Sequence, residues 1–469
     1  MPQTLAPKTW QVPARAAEAQ QTVSHLRSRI FTCFFVLTQQ RSHKRQRQSS
    51  ECLIKIEYNP TANCIYGKTC KDPSPLPQEK SYEFRRNLLG LDKCNACIGT
   101  SICKKFFKDE IRFEGWLTAQ SNVSIADVQS NEGNYTDITA GWRSVLLSRL
   151  MSPHLHEISD NSICSSAGRG KSCSIETVLK ATPRFQSWVR SNLLLPNMVK
   201  GLTAPMLRCP SQRLLDRIVR RYFEVIDVGS MQMKHFTIKD KLRLLYTLAV
   251  NQHALIPQMF PGTEGWPFLR YHGSCGRVMV WAGSTPIRRL FCASLERRAD
   301  VAYQLLHITE SLRSNSLQFN LFYTNVSEDT FGTLDDSRVF IVDSSAIGII
   351  DLKEGYPADE GLQTEHTDVF SCLIGSCEQP PPCETVRVAQ SFILLCQHVL
   401  HNLLGPHDVQ SGRLPKTALS ELAICADQTQ SDQRITSAVQ TLKDILHSLR
   451  PCSSLYGYRY PECLYSDKF

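Results

Sequence analysis

LFYTNVSEDTFGTLDDSRVFIVDSSAIGIID, residues 321–351, decides the fold. It reads as strand, short loop, strand, tight turn and strand. Residues 331–334 and 339–342 are β-branched or aromatic-rich runs, which suit a pleated surface. Asp335, Asp336 and Ser337 between them are turn formers, because short polar side chains bond their own backbone. Asp343 closes the second strand, and two small residues follow it. Upstream, Ala302, Leu305, Leu306, Ile308 and Leu312 recur at helical spacing, so a long helix over 297–314 feeds the stretch.

Helix, loop, hairpin, Asp is also the order in which protein kinases build their catalytic centre. There, a loop Asp accepts the substrate hydroxyl proton, an Asn five residues on binds metal, and an Asp after the hairpin holds Mg²⁺ against the ATP phosphates. Asp343 fits the last position, in Asp-Ser-Ser rather than Asp-Phe-Gly. Asn325 stands at the base position and Thr330 at the metal-Asn position. Helix–hairpin–Asp occurs in many folds, and the layout is compatible with an α+β, protein-kinase-like bilobal one.

The length, 469 residues, accommodates two or three domains or one large bilobal one, and 42% apolar residues supply a sizeable core. Net charge is +9, but residues 1–50 hold eight Lys or Arg against the single acid Glu18, so most of the excess sits there. The remaining chain is near neutral, which argues against a nucleic-acid-binding body. Nineteen cysteines and the sequons at Asn122, Asn134 and Asn325 favour an oxidising, glycosylating route through the secretory pathway. The only signal-like stretch, residues 30–37, begins late, is short and lacks a small-residue cleavage site. It is far below the ~20 apolar residues of a membrane span, and no other segment qualifies.

Residues 1–82 read as a divergent, basic, disordered region, in which 41–47 (RSHKRQR) is a solvated charge run or a nuclear-localisation signal. Residues 83–208 form a cysteine-rich segment with part of the smaller lobe. Cys94, Cys97 and Cys103 suit structural disulfides better than zinc, since no second ligand pair follows. Residues 145–150 predict a short buried strand, and His154 and His156 beside Glu157 read as surface histidines. Gly168–Lys171 lacks the glycine that a phosphate-binding loop requires, and its flanks Cys164 and Cys173 predict a small disulfide loop.

Residues 209–408 form the kinase-like domain. Pro210 and Ser211 open a helix with Arg213, Arg217, Arg220 and Arg221 outside its apolar face, a basic surface that is either solvated or meets an anion. Thr237 with Asp240 predicts a capping box. Residues 254–260 and 277–282 read as strands separated by a Gly/Pro/aromatic loop, and Phe392, Leu395, Cys396, Val399 and Leu403 mark another helix. Residues 409–469 complete the chain with a helix through Val439, Leu442, Ile445 and Leu449 and a cysteine-containing tail. Cys209, Cys275, Cys372, Cys377, Cys383, Cys452 and Cys463 join the structural cysteines.

DKCNACIGTSICKKF, RCPSQRLLDRIVRRY, DKLRLLYTLAVN, FPGTEGWP, YHGSCGR, ESLRSN and YRYPECLYSDKF, in this order, resemble the divergent protein kinase domain 2 family across residues 88–469. The resemblance implies a kinase-like fold made in the secretory pathway, with disulfide-stabilised, cysteine-rich additions. It also implies that Ser148 stands where a sister branch carries the Lys that grips the α/β-phosphates. No GxGxxG lies upstream. Asn325 cannot act as a carboxylate base, Thr330 is a poorer Mg²⁺ ligand than Asn, and Ser148 brings no positive charge. Asp329 or Glu328 supplies a carboxylate if the loop is one turn different. The expectation is a secreted or secretory-pathway pseudokinase that binds a protein partner or receptor, with no nucleic acid and no membrane span. The runner-up is an atypical kinase using ATP with Mg²⁺ or Mn²⁺ at Asp343, and the third reading is a nuclear protein led by the basic tail.

Overall fold

The computed structural model describes residues 53–59, 62–69, 86, 89–91, 102–108, 110–113, 131–137, 141–226, 236–334, 338–355, 368–374, 381–405 and 414–452. All of them belong to one compact unit, 53–69 with 73–469. A hairpin of β1 (Leu53–Asn59) and β2 (Ala62–Thr69) lies within the 1–82 stretch, whose composition carries no strand period.

The smaller lobe rests on an antiparallel sheet. Its strands are β3 (Ile111–Phe113), β4 (Asn131–Asp137), β5 (Gly141–Arg149), β6 (Tyr271–Cys275) and β7 (Val278–Ala282), in the order β3-β4-β5-β7-β6. Side chains alternate between its faces. Val145, Leu147, Val278 and Val280 pack outward with Leu89, Ile102, Phe106 and Ile111. Leu146, Met279 and Trp281 face inward to the main core. Both faces are covered, which is why 145–147 reads as an unbroken apolar run. The short helix α1 (Cys103–Phe107) is pinned to β6 by the Cys103–Cys275 disulfide. At the tight β6–β7 turn Gly276 has φ +59, and a Cβ there would lie 2.0 Å from the Leu89 carbonyl oxygen, so only glycine fits.

Between β5 and β6 the chain forms α2 (Pro153–Ser166), α3 (Ile175–Lys180), α4 (Pro183–Ser191), α5 (Pro196–Val199), α6 (Gln212–Ile226), α7 (Ile238–Val250) and α8 (Ile256–Met259). The predicted Cys164–Cys173 loop is present. The Thr237–Asp240 capping box opens α7, which is buried nearly all round. Residues 254–260 are helical rather than a strand, because a continuous apolar run suits a buried helix equally well. Conversely, β6 is a strand inside the predicted loop. The arginines of α6 are largely held internally. Arg213 bonds Asp351 and the Leu317 carbonyl, Arg217 bonds the Met259 carbonyl, and Arg221 bonds Glu264. Ser211 Oγ accepts from Leu214 N at 3.1 Å, the helix-start contact its sequence position predicts.

The two-residue strand β8 (Thr285–Pro286) leads to the long helix α9 (Leu295–Arg313). Then follow β9 (Phe319–Tyr323), β10 (Phe331–Thr333), β11 (Val339–Ile341) and β12 (Ile347–Asp351), the predicted hairpin with its flanking strands. β10 pairs with β11 and β8, and β12 pairs with β9. The larger lobe closes with α10 (Gln390–Leu395), a π-turn at Cys396–Leu400, α11 (His401–Leu404), α12 (Lys416–Ala426) and α13 (Asp432–Leu449). α12 has no counterpart in the sequence reading. Cys396 in the π-turn bonds Cys425 of α12, and α13 lies against α9 with Lys443 paired to Glu310 at 2.5 Å. Cys209–Cys383 ties the start of α6 to the segment before α10. Cys292 and Cys452 are also disulfide-bonded. Cys94, Cys97, Cys377 and Cys463 and the side chain of Cys372 lie outside the described residues.

Candidate functional site

The inward face of the sheet meets the 324–347 segment below it, and the predicted site residues fall along this junction. Ser148 is buried near the end of β5, opposite Met279. Its hydroxyl accepts a 2.8 Å hydrogen bond from Trp281 Nε1 on β7. The Trp281 indole stacks on His253, with ring centroids 4.1 Å apart, and touches Tyr271 on its way. All three side chains of the Ser148–Trp281–His253 run are buried.

His253 sits on the turn after α7. Asn251 positions that turn. Its Oδ1 accepts from His253 N at 2.9 Å, and its Nδ2 donates to the Leu150 carbonyl at 2.8 Å. His253 Nδ1 accepts the backbone N–H of Ser344 at 3.1 Å, so the ring hydrogen is on Nε2. Ser344 Oγ donates back to the His253 carbonyl at 3.0 Å. Gln252 adds bonds from Nε2 to the carbonyls of Ser344 and Ile347. Burial pulls the His253 imidazole below its ordinary pKa; the Asp343 carboxylate, 3.7 Å from Nδ1, opposes this.

Asp343 leaves β11 with its side chain 46% exposed. Its Oδ1 accepts from Ser345 N at 2.9 Å, and no Lys or Arg among the described residues pairs with it. Thr330 is close by, but its groups are engaged. The carbonyl accepts from Val342 N and Asp343 N, and Oγ1 accepts from Ser327 N at 3.0 Å in a capping box. Asn325 is exposed, with Oδ1 accepting from Val326 N at 2.8 Å. Glu328 accepts from Asn402 Nδ2 at 2.9 Å, and Asp329 lies 3.6 Å from Arg288. Backbone bonds thus join the loop of Asn325 and Thr330 to the segment carrying Asp343, while Ser148 lies on β5 and reaches that segment through Trp281 and His253.

These residues do not fit a metal–ATP complex. Ser148, which the family resemblance sets against a phosphate-gripping lysine, is buried and bonded by an indole, and Asn325, which it sets at the base position, offers a neutral amide. The hydroxyl of Thr330 is committed to its own loop. No cluster of three His, Cys, Asp or Glu able to share a metal ion is found among the described residues.

A second polar group lies under α2. Asp160 forms a two-pronged pair with Arg277 of the β6–β7 turn, at 2.5 and 2.9 Å. His156, expected at the surface, is buried one helical turn away. Burial, with Arg277 and Arg149 nearby, holds its pKa well below the ordinary value. Sequence reasoning missed Trp281, His253, Gln252, Ser344 and this ion pair. Each is a single residue inside an apolar or turn segment, with no spacing signal to mark it. Of the sequons, Asn134 lies in β4 with its side chain undescribed, and Asn122 lies outside the described residues.

The strand order and the helix–loop–hairpin–Asp sequence fit a protein-kinase-like domain. The model of the protein-kinase domain of FAM69 matches residues 245–428. Divergent protein kinase domain 2B of Homo sapiens is 48% identical over 402 residues, 84% of this chain and 91% of that protein. The protein of the same name from Bos taurus is 49% identical over 404 residues, 85% of this chain and 92% of that protein. Divergent protein kinase domain 2A of Xenopus tropicalis is 35% identical over 341 residues, 70% of this chain and 77% of that protein. The chain belongs to the divergent protein kinase domain 2 family.

Proposed function

We propose that this protein is a pseudokinase of the secretory pathway that acts by binding a protein partner. The observation that carries the reading is the Trp281 hydrogen bond to Ser148, a neutral contact at the residue that the family resemblance aligns with a phosphate-gripping lysine. The disulfides joining distant segments support an oxidising compartment, since such bonds are rare in reducing ones. No helix among the described residues is long and apolar enough to cross a membrane. The near-neutral folded body favours a protein partner over nucleic acid.

A second reading, an atypical kinase, draws on one observation: Asp343 is half-exposed and free of any Lys or Arg partner among the described residues. Thermal shift separates the two. Saturation at 100 times the dissociation constant adds about 2.7 kcal/mol of stability. The binding reading expects no shift with ATP and Mg²⁺ or Mn²⁺. A metal-dependent shift that Asp343→Ala abolishes would overturn it in favour of catalysis.

A further inference from the structure

Asn325 occupies the catalytic-loop position, and it also heads the tripeptide Asn325-Val326-Ser327. In the structure Val326 is buried while Asn325 and Ser327 are exposed, so the apolar middle residue anchors the loop and the two sequon side chains face solvent. Asn325 Oδ1 is used by Val326 N, whereas Nδ2 donates to no partner among the described residues. The residue is fixed against the cleft. Its neighbour Thr324 donates from both N and Oγ1 to the Ala346 carbonyl at 2.9 Å, and Asp343 N donates to the Thr330 carbonyl at 3.2 Å. The loops carrying Asn325 and Asp343 are therefore laced together on both sides of the half-exposed Asp343 carboxylate.

We propose that Asn325 carries an N-linked oligosaccharide, on the loop that is hydrogen-bonded to the segment carrying Asp343. This deepens the secretory reading and rests on it. The donor is a lipid-diphosphate-linked oligosaccharide. Asn325 Nδ2 forms a bond to C1 of the first sugar, and the C1–O bond to the diphosphate breaks. The diphosphate leaves with the electron pair, and the amide proton passes to base. An exposed sequon in a loop tolerates so bulky a group. Its consequence is steric: a protein hydroxyl cannot approach Asp343 past the glycan. The position that in a kinase accepts a substrate proton becomes an attachment point.

The test is site-resolved mass spectrometry of the full chain, secreted from mammalian cells behind an added signal sequence. Deglycosylation in heavy-oxygen water marks each occupied Asn as a labelled Asp. The expected result is label on the peptide containing Asn325. That label is lost in Asn325→Gln and kept in Ser327→Thr, which retains the acceptor hydroxyl. An unlabelled Asn325 peptide together with label at Asn122 or Asn134 overturns the glycan proposal and leaves the secretory reading standing. No label at any sequon, with free thiols at Cys103 and Cys275 in non-reducing digests, overturns both.

Discussion

Two carboxylates frame the smaller lobe, and they are treated in opposite ways. Asp160 on α2 is buried and answered by the two-pronged guanidinium of Arg277. Asp343 at the end of β11 is half-exposed and meets only backbone N–H and a neutral imidazole. In an active kinase the strand cation pairs with a helix acid and also grips phosphate, so one charge serves structure and chemistry together. Here the cation that answers the helix acid lies on the β6–β7 turn, and the strand position holds Ser148. The lobe keeps an ion pair between its helix and its turn, and a neutral, hydrogen-bonded serine on its strand.

The largest effect comes from breaking the structural side of this contrast. Arg277→Met leaves Asp160 buried without its partner and costs about 3–5 kcal/mol, read as a shift of the urea midpoint. The double variant Arg277→Met with Asp160→Leu recovers most of that loss, because no unpaired charge remains. If the double variant is as unstable as the single one, Arg277 acts through something other than Asp160.

Next comes the histidine pair, His156 and His253. Both imidazoles are held below their ordinary pKa in the fold, so the unfolded chain binds more protons than the native one under mild acid. Stability is complete above the unfolded value near 6.5 and falls as pH drops below it. Each histidine contributes a slope of up to about 1.4 kcal/mol per pH unit. Denaturation curves between pH 7.5 and 5, at roughly half-unit steps, measure it. His253→Gln lowers the slope by about one proton.

Trp281→Phe keeps an aromatic ring on His253 and removes the indole N–H. Ser148 Oγ then loses its donor, at a cost of about 1–3 kcal/mol. Adding Ser148→Ala to that variant restores part of the loss if the hydrogen bond is what matters. Differential scanning calorimetry compares the two.

The smallest effect is expected at Asp343. Asp343→Asn keeps an oxygen for Ser345 N and disturbs no ion pair with Lys or Arg, so stability stays within about 0.5 kcal/mol. A large loss would place Asp343 among the structural acids and erase the contrast with Asp160.

The sequence disclosed the parts of the fold that repeat. The 297–314 helix, the paired runs around 335–337 and the Thr237 capping box carry period or turn chemistry, and they appear where that chemistry puts them. It did not disclose what fills the cleft. Trp281 lies in a strand that reads as ordinary core, and His253 lies just before the 254–260 run, in a segment with no signal of its own. Only tertiary contact makes them neighbours, 28 positions apart in the chain. The buried position of His156 was likewise invisible, since its helix carries polar residues toward both solvent and the Asp160–Arg277 pair.

The hold on Ser344 has one more consequence. In many kinases the residues just after the metal-binding Asp swing between two packings, and that motion turns the enzyme on and off. In this chain Ser344 is clasped by the ring and carbonyl of His253, and Gln252 secures the carbonyls of Ser344 and Ile347. Four bonds from one turn leave this segment a single resting place. Under the proposed binding role, a partner that reads this surface would meet a segment held to the turn after α7.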